Sequence, residues 1–364
     1  MMKERLRKNL IELMQVPGLS GYEDPIRQRL LQKLDELKIK TTLDRMGNLL
    51  ASFPGNGPSV MVFTHMDQLG FIVRKIEADG FLRVERLGGI PERALPSQGV
   101  LVCVDGGKDV RGLIANKSHH ATSTDEKYRV VPYQDIYIDI GLTSSDQAKA
   151  AGIQIGSPVV YQPNAFEIGQ DRIAGTSVDD RAGCAVALEL ADFLRKRTSG
   201  PPVHLVFSVQ EEFNLRGVLP LAQQILPDIA IQLDLILATD SPDMVDRGNV
   251  LLGFGPAISM FSFHGRGTLN GVIPHPAMVS LFEKTAVKLG INLQRSVHSG
   301  ALTDLSYVQS VGKGVAAIDL GFPMRYSHSS LEVCDLNDLT ALTKLLVGAL
   351  ALIDDNFNLD RTKF

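Results

Sequence analysis

Five short stretches place ionisable side chains just beyond an apolar run. They are "VMVFTHMDQLG" with His65 and Asp67, "AGTSVDDRAG" with Asp179 and Asp180, "VFSVQEEFNLRG" with Glu211 and Glu212, "AIQLDLILATD" with Asp234 and Asp240, and "FPMRYSHSSLE" with His328 and Glu332. Histidine and carboxylate side chains without thiolates suit zinc, cobalt or manganese at a hydrolytic centre. Each stretch alone also has an ordinary reading. His-x-Asp can be a hydrogen-bonded surface pair, and Asp-Asp can cap a helix by accepting backbone N–H groups. Adjacent glutamates can be a solvated loop, and a histidine near the C-terminus can be structural. The weight comes from recurrence, because ligands of open α/β sheets bind beyond the carboxyl ends of the strands. Glu211 and Glu212 raise a further question. Successive strand residues point to opposite faces, so a strand reading gives the two glutamates different tasks.

The elements that must position these residues follow from hydrophobic periodicity. Two amphipathic helices are predicted at about residues 3–15 and 24–38, followed by strands in "TTLDRMGNLLASF" and "SVMVFTHMD". From about residue 68 to 165 the texture changes to short β-like pieces between Gly and Pro turns: "FIVRKI", "FLRVERL", "GVLVCVD", "VRGLIA", "DIYIDI" and "SPVVYQP". This is how a small β-barrel or sandwich reads. Strand–helix alternation then returns, from "GCAVALELADFLRKR" to a C-terminal helix at about 335–354. The expected fold class is α/β. A mixed sheet flanked by helices, from residues 1–67 and 166–364, is interrupted by an inserted β-barrel-like domain at 68–165.

Composition narrows the function classes. The chain has 364 residues, 44% of them hydrophobic and 21% charged, with net charge −4 and mean hydropathy +0.05. This is the balance of a globular protein, without the basic footprint of a nucleic-acid binder or an anionic-membrane binder. The start, "MMKERLRKNLIELM", has no apolar core of a signal peptide, and "LLVGALALI" is too short to span a bilayer. Cys103, Cys184 and Cys334 are scattered and odd in number, which points to no disulfide framework and to a reducing cytoplasm.

Taken together, the motifs resemble the tetrahedral or glutamyl aminopeptidase family of dinuclear metallopeptidases, some of whose members carry an endoglucanase label. The resemblance runs from "VPGLSGYE" and "DRMGNL" through "THMDQLGF", "SVDDRAGC", "VQEEFNLRG" and "LDLILATDSPD" to "YSHSSLE". It implies a zinc-peptidase-like catalytic domain with two divalent ions per chain, zinc or cobalt first and manganese as a third choice. His65 and Asp234 would bind one ion, Glu212 and His328 the other, and Asp179 would bridge them. Glu211 would be the general base and Asp67 would orient His65 through its second ring nitrogen. The family's Asp-Asp link is a cis peptide. The implied activity is removal of N-terminal residues from short peptides.

The chain departs from the family pattern at Phe213 and Asn214, at Thr176, Ser177 and Val178, and in "HSGALTDLS", which keeps Thr303 and Asp304 but adds His298. These positions lie near the expected substrate pocket, and none is a ligand position. His204 reads as structural, His119 and His120 as a loop, and His264 and His275 as structure or subunit contact. A metallo-deacetylase or carboxypeptidase shares the chemistry, and dependence on a free substrate amine separates it. Metal-free glycoside hydrolysis by two carboxylates and a non-catalytic scaffold are the remaining classes. The resemblance also implies dimers formed through the insert and a tetrahedral dodecamer. The apolar runs "GVLVCVD" and "DIYIDI" read as too apolar to stay bare on a monomer, and the helix in "PHPAMVSLFEKTAVKLG" offers a second apolar face.

Overall fold

Alternate residues of the strand Val60–His65 serve two different cores. Val60 and Val62 pack in one cluster with residues of the helices Met2–Met14, Asp24–Glu36, Val178–Leu194, Pro276–Leu289 and Leu336–Leu350. Met61 and Phe63 pack on the other face with the short helices Leu219–Ile225 and Leu305–Val308. A strand covered on both faces must be apolar throughout, which explains the unbroken "VMVF". The computed structural model describes residues 1–364 except Gly107, residues 265–269 and Phe364.

Val60–His65 is one of four parallel strands, in the spatial order Val203–Ser208, Val60–His65, Ile229–Leu237 and Ala316–Arg325. Antiparallel strands Leu49–Phe53 and Thr41–Leu43 extend the sheet on one side. Glu332–Asp335, Arg172–Gly175 and Ala165–Ile168 extend it on the other. Ala257–Phe263 branches from Ala316–Arg325 and carries Gln294–Ser299 and Gly271–Val272. The result is the expected mixed sheet flanked by helices. Its register sets the site: Ser208 pairs with His65, and Asp234 with Gly321. The pairing of Gln232 with Phe63, carried two residues on, puts Asp234 level with His65.

Between His65 and Asp179 the chain builds a closed barrel of six strands. Around the barrel they run Gly70–Ile76, Leu82–Leu87, Ile138–Asp139, Val110–Ile114, Gly99–Val102 and Pro158–Tyr161. Here the structure corrects one expectation. Val100, Val102, Ile136, Ile138 and Ile140, from the two runs read as too apolar for a monomer, fill the barrel's own core. Closure also removes the free edges that would otherwise need a partner. "DIYIDI" contributes only Ile138 and Asp139 to the ladder. The strands Ala165–Ile168, Arg172–Gly175 and Gln294–Ser299 were not foreseen, because they are short, polar or half exposed.

Candidate active site

His65 ends its strand and is buried. Its Nδ1 lies 3.2 Å from the main-chain oxygen of Asp67 and 3.5 Å from Asp67 Oδ1. The carbonyl is thus the nearer partner of the second ring nitrogen, with the Asp67 carboxylate that the resemblance put there close beside it. With Nδ1–H donating to that carbonyl, Nε2 is presented to the site, where it lies 3.0 Å from Asp179 Oδ1.

Asp179 and Asp180 open the helix Val178–Leu194 and are joined by a cis peptide bond. Their side chains diverge. Asp179 Oδ2 lies 3.5 Å from His328 Nε2, so one carboxylate faces both histidines. Asp180 turns into the protein, accepting hydrogen bonds from Thr64 Oγ1 and from the N–H of Gly183, the latter at 3.0 Å. A Cβ at residue 183 would strike both the Asp180 carboxylate and the Thr64 hydroxyl, so this turn of helix needs glycine.

The strand before the two glutamates stops at Ser208. Glu211 and Glu212 lie in the turn that follows, after Gln210 with φ +55°, so the alternation of a strand does not separate them; the turn does. Glu212 Oε2 points to His328 Nε2 at 3.8 Å, and its Oε1 is buried with no hydrogen-bond partner among the described residues. Glu211 is buried close to the charges of His65, Asp234, Glu212 and Asp304. Asp67 fixes the pair from behind. Its Oδ1 accepts the N–H of Glu211 at 3.1 Å, and its Oδ2 accepts the N–H of Glu212 at 3.1 Å and Ser20 Oγ at 2.6 Å.

Asp234 accepts from Gln232 Nε2 at 3.0 Å and from the N–H of Leu235 at 2.6 Å. His328 (φ +65°) donates its Nδ1–H to the carbonyl of Gly89, 2.9 Å away in the barrel insert. That bond leaves its Nε2 free toward Asp179 and Glu212. Positive φ at Ser177, Gln210 and His328 marks three of the segments that carry site residues, where strain of roughly 1–3 kcal/mol per residue is held by the surroundings. Glu332, like Asp180, received no task from the resemblance. Glu332 Oε1 accepts the N–H of His328 at 2.8 Å, and its Oε2 accepts the N–H of Asp179 at 3.0 Å. Its only signal was its position four residues after His328.

All five residues matched to ligand positions come together. In His65–Asp179–Asp234, and again in Asp179–Glu212–His328, the ligand atoms lie within 4.8 Å of one another, and Asp179 belongs to both groups. Asp240 stays outside and pairs with both Nε and Nη2 of Arg325 at 2.7 Å. Burial, reinforced by neighbouring carboxylates, pushes Asp180, Glu211, Glu212 and Glu332 well above the usual carboxylate range and Asp234 to about 7. Burial alone would lower His65, but its contacts with Asp179 and Asp67 outweigh that and hold it well above its ordinary value. Crowded carboxylates, an orphaned Glu212 oxygen and two imidazoles fit divalent cations of the zinc, cobalt or manganese type. The nearby Cys184 thiol donates to the carbonyl of His65 at 3.3 Å, and burial pushes it up to about 12.

A cavity beside Asp234 is lined by Ser259, Ser262, His298, Thr303 and Asp319. Asp319 Oδ1 accepts from Thr303 Oγ1 at 2.9 Å, while Asp319 Oδ2 and Ser262 Oγ are buried without partners among the described residues. The remaining histidines lie elsewhere. His204 pairs with Ser52 Oγ at 3.0 Å. His119 and His120 are exposed in a short 3-10 turn, and His275 caps the helix Pro276–Leu289. His264 precedes residues 265–269, which lie outside the described residues.

Residues 47–345 match the family described as M42 glutamyl aminopeptidase. SgcX of Escherichia coli (strain K12) is 37% identical over 347 residues, spanning 94% of this chain and 92% of the relative. The structure of aminopeptidase APDkam598 from the archaeon Desulfurococcus kamchatkensis superposes with a TM-score of 0.90 at 31% identity, over 98% of this chain and 97% of that one. The Pyrococcus horikoshii TET1 peptidase, which can assemble into a tetrahedron or a large octahedral shell, superposes with a TM-score of 0.84 at 28% identity, over 96% and 99%. The chain belongs to the M42 glutamyl aminopeptidase family and is a hydrolase of the aminopeptidase class.

Proposed function

We propose that this aminopeptidase is dinuclear and removes N-terminal residues from short peptides. The observation that carries the reading is the double membership of Asp179 in two adjoining groups of metal-ligand type. His65, Asp179 and Asp234 would hold one divalent ion, and Asp179, Glu212 and His328 the other, with zinc or cobalt preferred and manganese acceptable. Such ions, when bound, polarise the scissile carbonyl and activate water. The chain's own residues supply the rest. Glu211 accepts a proton from the attacking water and returns it to the leaving amine. Asp67 keeps Glu211 and Glu212 in place through their main-chain N–H groups. The excess of carboxylates attracts the free α-amine of the peptide, and the cavity beside Asp234 receives the N-terminal side chain.

Residues 68–165 form the insert domain in this proposal, and residues 1–67 and 166–364 the catalytic domain. We infer self-association to dimers and then to a tetrahedral dodecamer, by analogy with the assembly of the Pyrococcus horikoshii peptidase. The insert exposes Leu113, Tyr128, Val130 and Val131, and the helix Pro276–Leu289 exposes Val287 and Leu289, which provides two separate apolar surfaces. Among the described residues no helix is long and apolar enough to cross a membrane, and the three cysteines are free; we place the protein in the cytoplasm. The test is a panel of aminoacyl chromogenic substrates, free and N-acetylated, assayed after chelation and after return of zinc, cobalt or manganese. Hydrolysis of the free amines that depends on added metal supports the proposal. Full activity in an exhaustively chelated sample refutes it. A preference for the N-acetylated series would favour a deacetylase instead.

A further inference from the structure

The stretches "VPGLSGYE" and "DRMGNL" contribute no residue to either ligand group, yet both reach the turn that carries Glu211 and Glu212. Four consecutive main-chain N–H groups of that turn are each accepted by a side-chain oxygen from elsewhere in the chain. The N–H of Val209 donates to Asn48 Oδ1, that of Gln210 to Glu23 Oε1, that of Glu211 to Asp67 Oδ1 and that of Glu212 to Asp67 Oδ2, all at 3.1 Å. Asn48, Glu23 and Asp67 are themselves buried. Gln210 sits at φ +55°, a left-handed conformation that a residue with a Cβ adopts only when its surroundings impose it.

We propose that Glu23 and Asn48 are positioning residues for the Glu211–Glu212 pair. Glu23 is anchored for this work. Its Oε1 also accepts the N–H of Gly21 at 2.7 Å, and the next turn upstream is stitched to the strand end bearing His65. Gly18 N–H donates to Gln68 Oε1 at 3.1 Å, Gln68 N–H to Gly18 O at 2.9 Å, and Ser20 Oγ to Asp67 Oδ2 at 2.6 Å. Arg181, fully buried, donates to the carbonyls of Met66 and Val16 and to Gln68 Oε1. Asn48 is anchored likewise, with Nδ2 donating to Asp44 Oδ2 at 2.6 Å and to the carbonyl of Gly217 at 2.7 Å. The segment between the first two helices and the hairpin after them therefore act as one frame. An error of an ångström in a reacting group costs about 10²-fold in rate, and this frame sets where the two carboxylates stand.

The inference rests on Glu211 being the base and Glu212 a ligand. Its test therefore reads the frame directly as well as through turnover. Glu23→Gln retains an acceptor oxygen and Glu23→Met retains only the bulk; Asn48→Leu removes the other acceptor. Amide hydrogen exchange of the peptide spanning Val209–Glu212, in metal-free and metal-loaded protein, should match the parent in Glu23→Gln and become at least about 10-fold faster in Glu23→Met and Asn48→Leu. In the same two variants kcat should fall about 10- to 10²-fold with KM within about twofold, while Glu23→Gln restores kcat. Parental exchange in Glu23→Met overturns the inference, and so does failure of Glu23→Met or Glu23→Gln to fold, which would assign Glu23 to folding. Faster exchange with parental kcat overturns it as well, because the frame would then not set where the two carboxylates stand; parental kcat in Glu211→Gln would instead overturn the reading of Glu211 as the base.

Discussion

Glu332 accepts the N–H of His328 at 2.8 Å. Because its other oxygen accepts the N–H of Asp179 at 3.0 Å, one buried carboxylate sets the spacing between the shared carboxylate and the outer histidine. Glu332→Gln can accept only one of these two N–H groups, since its amide nitrogen is a donor. It should lower affinity at the His328 group by about 10- to 100-fold, the usual effect of losing an outer partner. Competition against a fluorescent chelator measures this. Parental affinity in the variant would show that Glu332 does not organise the site.

The two neighbouring glutamates should separate cleanly. Glu211→Gln cannot take a proton and should cut kcat by about 10²–10⁴-fold with metal content nearly unchanged. Glu212→Gln should release metal from one site. Steady-state kinetics paired with elemental analysis decides, and reversed phenotypes would mean that the roles had been exchanged.

His298 lines the cavity beside Asp234 and lies in none of the ligand groups. His298→Ala should therefore change the ranking of N-terminal residues by kcat/KM, while metal stoichiometry stays at the parental value. An unchanged ranking across the chromogenic panel would take this cavity out of substrate selection.

Asp338 supplies a pH prediction away from the ligand groups. Burial outweighs its hydrogen bonds from Gly253 and Gly255 N–H and raises the carboxyl to about 7, against about 3.9 in an unfolded chain. Between those values the folded protein keeps a proton that the unfolded chain has lost. Its contribution to stability is complete below the unfolded value and is lost as pH rises toward 7, at about 1.4 kcal/mol per pH unit. Asp338→Asn imitates the protonated form, so its stability should fall less than the parent's between pH 5 and pH 8. Urea midpoints at the two pH values give the answer; a steeper fall in the variant would reverse the sign.

Assembly is open to direct measurement. Light scattering on metal-loaded protein should give the mass of a dodecamer. Charges placed at Val287 and Leu289, both exposed, should reduce it to smaller species. A mass of one or two chains for the parent would leave the shell without support.

The central strands and the ten ionisable residues beside them were legible because their signals are local, and the family resemblance then picked out the five grouped residues. Fully covered strands demand apolar runs such as "VMVF", and polar residues directly after such runs stand out. The fold class and the insert followed from the same texture. What escaped notice depends on pairing between distant segments. Nothing in "SLE" announces that Glu332 will hold two N–H groups that lie 149 residues apart in the chain, those of Asp179 and His328. Nothing near Asp67 shows that its carboxylate serves the glutamates more than His65. The short strands Ala165–Ile168 and Gln294–Ser299 lack an apolar face of their own, so only their neighbours define them.

The carbonyl of Gly89, 2.9 Å from His328 Nδ1, ties the barrel directly to one of the two groups of metal-ligand type. Ser330 Oγ adds a second tie, donating to Gln98 Oε1 at 2.7 Å. The barrel is consequently not an exchangeable module. A graft that replaced it with another small β-domain would need a main-chain acceptor at the same point in space. Lacking one, His328 would be free to swap tautomers and turn its other nitrogen toward Asp179. Any shortened form of this protein must therefore spare the loop around Gly89.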